Sequence, residues 1–77
     1  MQNKLTPGIY RHYKGGCYEA LGIAIHSETL EEIVLYRSRD GSPDFPVGTL
    51  WVRPKAMFLG DVTENGQQLP RFTRIDG

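Results

Sequence analysis

Every stretch of this chain with strand-forming composition is cut short by a turn signal. Pro7-Gly8 punctuates the start, Gly15-Gly16 is a hairpin signal, Asn65-Gly66 is a second that links Gly60 to Thr63 to a closing strand at Arg71 to Ile75, and Asp40 to Gly48 gathers Gly, Ser, Pro and Asp into the longest loop. Glycine and asparagine reach the positive φ values that tight hairpins require. Between these points, Ile9 to Tyr13, Cys17 to His26, Ile33 to Arg39, Leu50 to Arg53, Gly60 to Thr63 and Arg71 to Ile75 are rich in β-formers and read as strands. Ser27 to Glu31 is polar and leaves room only for a turn, although Thr29 and Glu32 have capping-box spacing. None of these stretches is long enough for a helix that could organise a fold. The pattern predicts an all-β fold, a small SH3-like antiparallel barrel or roll of five to six short strands. One helical turn fits at Pro54 to Leu59, with Met57 and Phe58 plugging an open end. A five-stranded oligonucleotide-binding barrel is the second choice, because that fold usually runs longer.

The 77 residues make a single domain, 1–77, with an ordered core from about residue 7 to residue 75. A chain this short buries only about 60% of the surface its unfolded form exposes, so it sits near the lower margin of independent stability. Disulfides often compensate in small domains, but Cys17 is the only cysteine. A cysteine-rich zinc site is excluded with it, and a lone thiol fits a reducing, cytoplasmic setting. Nine Lys and Arg balance nine Asp and Glu, so no overall field draws the chain to nucleic acid or membrane. Locally the charge is uneven: Arg11 and Lys14 stand without an acid, and Glu28, Glu31 and Glu32 without a base. No apolar run approaches the roughly 20 residues of a spanning helix, and Met1 to Gly8 lacks a signal-peptide core. No membrane association is expected.

The first hairpin allows a register argument. With Gly15 and Gly16 as the two central turn residues, Lys14 faces Cys17, Tyr13 faces Tyr18 and His12 faces Glu19. Ile9, Arg11, Tyr13, Tyr18, Ala20 and Gly22 then share one face, and Tyr10, His12, Glu19, Leu21 and Ile23 the other. Glu19 beside His12 would raise the imidazole pKa and offer an acid/base pair. The plainer reading is a histidine that caps a strand edge. A change of one residue in turn length swaps the faces and dissolves the pair. The second strand carries apolar residues of both parities, which calls for cover on both sides or a bend, and Gly22 is the place for a bulge.

Other chemistry has little support. The chain has no nucleophile elbow, phosphate-cradling loop or dinucleotide fingerprint. His26 and Ser27 are sequence neighbours on a strand and point to opposite faces. A metal set of His12, His26 and Glu19 or Glu28 can be drawn, but its spacing is not that of paired zinc ligands. Cys17 reads as a packed residue after a turn. No catalytic residue, metal or cofactor is assigned.

The candidate site is the aromatic and cationic set Tyr10, His12, Tyr36, Trp51, Arg53 and Arg71. Tyrosine and tryptophan bury area while keeping a polar tip, and arginine adds two-pronged recognition of carboxylate or phosphate. Against this stands the possibility that Trp51 and Phe72 are core and that the arginines serve structural ion pairs. The first reading is a non-catalytic binding module for a peptide or other anionic group. The second is a nucleic-acid or nucleotide binder that adds Arg11 and Lys14 as phosphate contacts. A third, enzymatic reading rests on His12 and Glu19 alone.

Several blocks also carry a family resemblance. They are Pro7-Gly8-x-Tyr10-Arg11-His12-Tyr13-Lys14-Gly15-Gly16, Tyr18-Glu19, His26-Ser27-Glu28-Thr29, Val34-x-Tyr36-Arg37, Leu50-Trp51-Val52-Arg53-Pro54, Met57-Phe58 and Pro70-Arg71-Phe72. In this order they resemble the bacterial domain-of-unknown-function family 1653, over nearly the whole chain. The resemblance implies a compact SH3-like barrel or roll and no assigned activity, so no catalytic role is carried onto any residue.

Overall fold

The computed structural model describes residues 4–76; Met1 to Asn3 and Gly77 lie outside it, so the ends of the expected 1–77 domain and the start of the leader reading fall outside the described residues. Strands β1 (Gly8–His12), β2 (Cys17–Ile25), β3 (Glu32–Ser38) and β4 (Leu50–Pro54) precede a one-turn helix α1 (Lys55–Phe58). Strands β5 (Asp61–Glu64), β6 (Gln67–Pro70) and β7 (Phe72–Arg74) follow. β4, β3, β2, β1 and β7 form one antiparallel sheet in that order, and β5 and β6 form a separate hairpin. The fold is small, antiparallel and all-β, but the sheet does not close into a barrel.

The first hairpin takes a different register from the expected one. Cys17 faces Arg11 rather than Lys14, Tyr18 faces Tyr10, and Glu19 faces Ile9. The turn is longer than Gly15-Gly16 alone: His12 N–H donates to the Gly16 carbonyl at 2.8 Å, and Gly15 N–H to the His12 carbonyl at 2.7 Å. Only Gly15 of the two glycines takes positive φ, at 116°. This is the three-residue hairpin loop that ends in a positive-φ glycine. The cause lies in His12, whose ring Nδ1 accepts the Lys14 backbone N–H at 3.2 Å and so starts the turn early. The odd shift exchanges the faces. Tyr10 and His12 now lie with Tyr18 and Ala20, while Ile9, Arg11, Cys17 and Glu19 point the other way.

The bulge expected at Gly22 is present, between Ala20 and Gly22. Before it Ala20 pairs with Tyr36, and after it Ile23 pairs with Val34. Tyr36 and Val34 share one face of β3, so the inward parity of β2 changes at Leu21. Apolar residues of both parities therefore reflect the bulge and not a strand covered on both sides. The far end of β2 is open, with Ile23 and Ile25 exposed.

The core is one layer under the inner face of the sheet, made of Tyr10, Ala20, Val34, Tyr36, Phe58 and Phe72. Phe58 is its centre: 1% exposed, it stacks on Phe72 at 4.0 Å and meets Tyr10 and Tyr36 at 5.3 Å each. The turn after Pro54 delivers it, as expected, but Met57 points outward and is exposed. Successive helical residues point about 100° apart, so with Phe58 aimed at the core Met57 is turned away from it. The Asn65-Gly66 turn forms with positive φ at both residues. It joins β5 to β6, a strand with no β-branched residue that composition did not mark, and not to the closing strand. The closing strand is β7, which pairs with β1.

The segment from Ser27 to Glu31 is a turn tied by His26, whose ring Nδ1 accepts the N–H groups of Glu28 at 3.2 Å and Thr29 at 3.3 Å. Leu30 in this turn has φ 62° and is 73% exposed. A side chain that packs on little bears the steric cost of left-handed backbone, about 1–2 kcal/mol. Leu30→Gly removes that cost and adds glycine's unfolded-state entropy. We expect a net gain of about 0.5–1 kcal/mol, a rise in Tm of about 2–8 °C for a domain of this size. Thermal unfolding followed by circular dichroism checks it; a lower Tm would mean that Leu30 contributes packing.

Candidate functional site

β1, β3, β4 and the break between β6 and β7 bring His12, Tyr36, Arg53 and Arg71 together, four of the six candidate residues, and Tyr36 also belongs to the core. Arg53 and Trp51 lie on the inner face because they pair with Val34 and Tyr36. His12 lies on the same face at the end of β1, paired with Phe72. Arg71 occupies the bend where the chain leaves one sheet for the other; its carbonyl accepts the Tyr13 N–H at 2.9 Å and its own N–H donates to the Gly60 carbonyl at 3.0 Å. The Trp51-Arg53 block thus joins the Tyr10 and His12 face, and Arg11 faces away.

Phe72 is the floor of this group. The His12 ring meets it edge-on at 5.0 Å, and the Arg53 guanidinium lies over it at 5.5 Å. Arg53 Nε donates to the Tyr36 hydroxyl at 3.3 Å, and Arg71 Nε to the Met57 carbonyl at 3.1 Å. Both arginines are half-buried and anchored at Nε, with the outer nitrogens of each guanidinium left over. On the other side of His12 the Tyr13 ring stands at 4.6 Å, and Lys14 Nζ lies 5.7 Å over that ring. With Nδ1 of His12 accepting the Lys14 N–H, the Nε2 edge carries a proton in both charge states.

The electrostatics of the group are one-sided. Arg37, Lys55 and Arg74 hold Glu19, Glu32 and Asp76 at 2.7, 2.8 and 2.9 Å. Among the described residues, Arg53, Arg71 and Lys14 hold no carboxylate. Burial holds the His12 imidazole below its ordinary 6.5, and the charges of Arg53, Arg71 and Lys14 press it down further. The folded protein therefore binds this proton less readily than the unfolded chain does. Between the folded value and 6.5 the unfolded state carries the extra proton, so stability falls as pH drops through that window. The Tm in dilute buffer without multivalent anions is expected to drop more for the parent than for His12→Asn between about pH 7 and about pH 5. Parallel curves for the two proteins would remove His12 as the source.

Two of the six candidates fall elsewhere. Tyr10 is core: its hydroxyl donates to the Thr6 carbonyl at 2.6 Å, and burial pushes the phenol above its usual 10.0. Trp51 borders the group, with its indole N–H donating to Ser38 Oγ at 2.8 Å and its ring against Phe45 at 4.9 Å. The His12 and Glu19 pair does not form, because Glu19 lies on the other face bound to Arg37. Its predicted effect on the imidazole is reversed as well. Cys17 is half-buried and free, and its N–H donates to Asp40 Oδ2 at 2.9 Å. Among the described residues no three His, Cys, Asp or Glu side chains stand close enough to hold a metal, so His12, His26, Glu19 and Glu28 are not brought together. Nor is any described helix long and apolar enough to cross a membrane. Sequence reading missed Ser38 and the Met57 carbonyl, because each acts through one polar atom whose position depends on the tertiary fold.

A small antiparallel sheet with a half-buried cationic cluster on an aromatic floor defines a compact all-β module with a charged inner face. Residues 8–74 match the family described as protein of unknown function DUF1653, and the chain belongs to that family. It is similar to a solved DUF1653 protein from Bordetella bronchiseptica, with 34% sequence identity and a TM-score of 0.80. That likeness covers 92% of this chain and 87% of the other. No curated protein matches the chain.

Proposed function

We propose that this protein is a small non-catalytic binding module that holds an anionic group on the inner face with Arg53, Arg71 and His12, bordered by Tyr36 and Trp51. One observation carries the reading. The His12 ring and the Arg53 guanidinium meet on one Phe72 floor, at 5.0 and 5.5 Å, and among the described residues neither Arg53, Arg71 nor Lys14 holds a carboxylate. Half-buried guanidinium groups are partly stripped of water and gain most from an anion that replaces it. Peptide carboxylates and phosphates are both anions of this kind. The nucleic-acid reading is the weaker one, since Arg11 faces away from His12 and cannot share a phosphate track with Arg53.

A bacterial, cytoplasmic setting belongs to this reading. The single thiol and the bacterial source of the solved relative support it. The test is an NMR titration of the uniformly labelled protein with simple anions at low ionic strength. Saturable shifts are expected at His12, Tyr13, Arg53, Arg71 and Phe72, weakening as salt is added. Uniform small shifts over the whole surface, without saturation, would remove the proposal.

A further inference from the structure

We infer that the ligand of this face is the dianion of a phosphate monoester and not a carboxylate, an inference that rests on the anion-binding function proposed above. The groups that face His12 come from four places. Arg53 comes from β4, Arg71 from the bend between β6 and β7, Lys14 and Tyr13 from the turn, and Phe72 from β7. Three of them are fixed cations and none is an acid. A monocarboxylate leaves most of that charge unmatched, whereas a phosphate dianion adds a second charge at the same position.

The donors also fit a three-oxygen group better than a two-oxygen one. The Nε atoms of both arginines are spent on Tyr36 and Met57, which fixes the planes of the two guanidinium groups and leaves their outer nitrogens to donate. Lys14 Nζ and His12 Nε2 add two more donors from the turn. Guanidinium, ammonium and imidazole donors from β4, the bend and the turn suit a group with three oxygens, while a flat carboxylate is satisfied by one guanidinium fork. His12 has a further part. Burial, and then the three cations, leave the ring short of a proton, and a dianion among the same groups opposes that effect and draws a proton onto it.

The experiment compares phenyl phosphate, dimethyl phosphate and benzoate at about pH 7.5 and low salt, where the monoester is a dianion and the other two are monoanions. Phenyl phosphate is expected to bind at least about tenfold more tightly than either. Followed by ring-proton NMR, His12 is expected to titrate below 6.5 in the free protein and above it when saturated with phenyl phosphate. R71Q is expected to lose most of the preference for the monoester while keeping the parent circular dichroism. Phosphoserine or a nucleoside 5′-monophosphate binding above phenyl phosphate supports the inference and names the carrier. Benzoate or dimethyl phosphate binding as tightly as phenyl phosphate at the same residues overturns the dianion and leaves the anion site standing. No saturable binding of any probe overturns both.

Discussion

Phe58→Ala is expected to remove a large share of the domain's stability, about 3–5 kcal/mol. Phe58 is 1% exposed and touches Phe72, Tyr10 and Tyr36, the three largest rings of the core. Truncating such a residue typically costs about 3–5 kcal/mol, from lost transfer energy and from the cavity left behind. A chain of this length has a total stability of only about 4–12 kcal/mol at ordinary per-residue values. Among the described residues there is no second core layer or closed barrel to share the loss, and the single cysteine permits no disulfide within the chain. Urea unfolding followed through Trp51, the single tryptophan, checks it. Met57→Ala one residue earlier is the control, because Met57 is exposed and should change stability by less than about 0.5 kcal/mol. Equal losses for the two variants would mean that Phe58 is not the centre of the packing.

Arg53→Gln is expected to weaken binding of a phosphate or carboxylate probe by about 10- to 100-fold, with little change in stability. Hydrogen bonds to charged groups contribute about 1.5–3 kcal/mol, which sets that range. The glutamine keeps a polar tip within the aromatic border but carries no charge and no fork. Tyr36→Phe separates the charge of Arg53 from its placement. It removes the hydroxyl that accepts from Nε at 3.3 Å while leaving the guanidinium in place, so a loss of only about threefold is expected. Isothermal calorimetry at low salt gives both values. An Arg53→Gln protein that binds like the parent would place the anion elsewhere.

Both predictions turn on how local signals were resolved. Pro54 announced the turn that carries Phe58, and Asn65-Gly66 announced its hairpin, because proline and positive-φ residues act on their own backbone. Gly22 marked the bulge for the same reason. The first hairpin departs from the expected register because Gly15-Gly16 admits two turn lengths. The choice between them is made by the His12 ring taking the Lys14 N–H.

The candidate site was legible only as a set. Arginine and histidine near aromatic residues stand out in the chain, but Tyr10 and Tyr36 among them are core, and Phe72, weighed as core, is both core and floor of the site. A two-residue turn pairs Glu19 with His12, whereas in the fold Glu19 holds Arg37 on the neighbouring strand. Ion-pair partners are set by which strand lies alongside, and spacing in the chain does not carry that information.

By itself the sequence determined the short antiparallel strands, the positions of most turns and the single helical turn, since these depend on the φ preferences of one or two residues at a time. Only the tertiary structure decided the register of the first hairpin, the sheet order β4-β3-β2-β1-β7 and the meeting of His12 and Arg53 over Phe72. Those outcomes depend on contacts between distant segments, and a shift of one residue in any strand would have turned the same side chains to the other face.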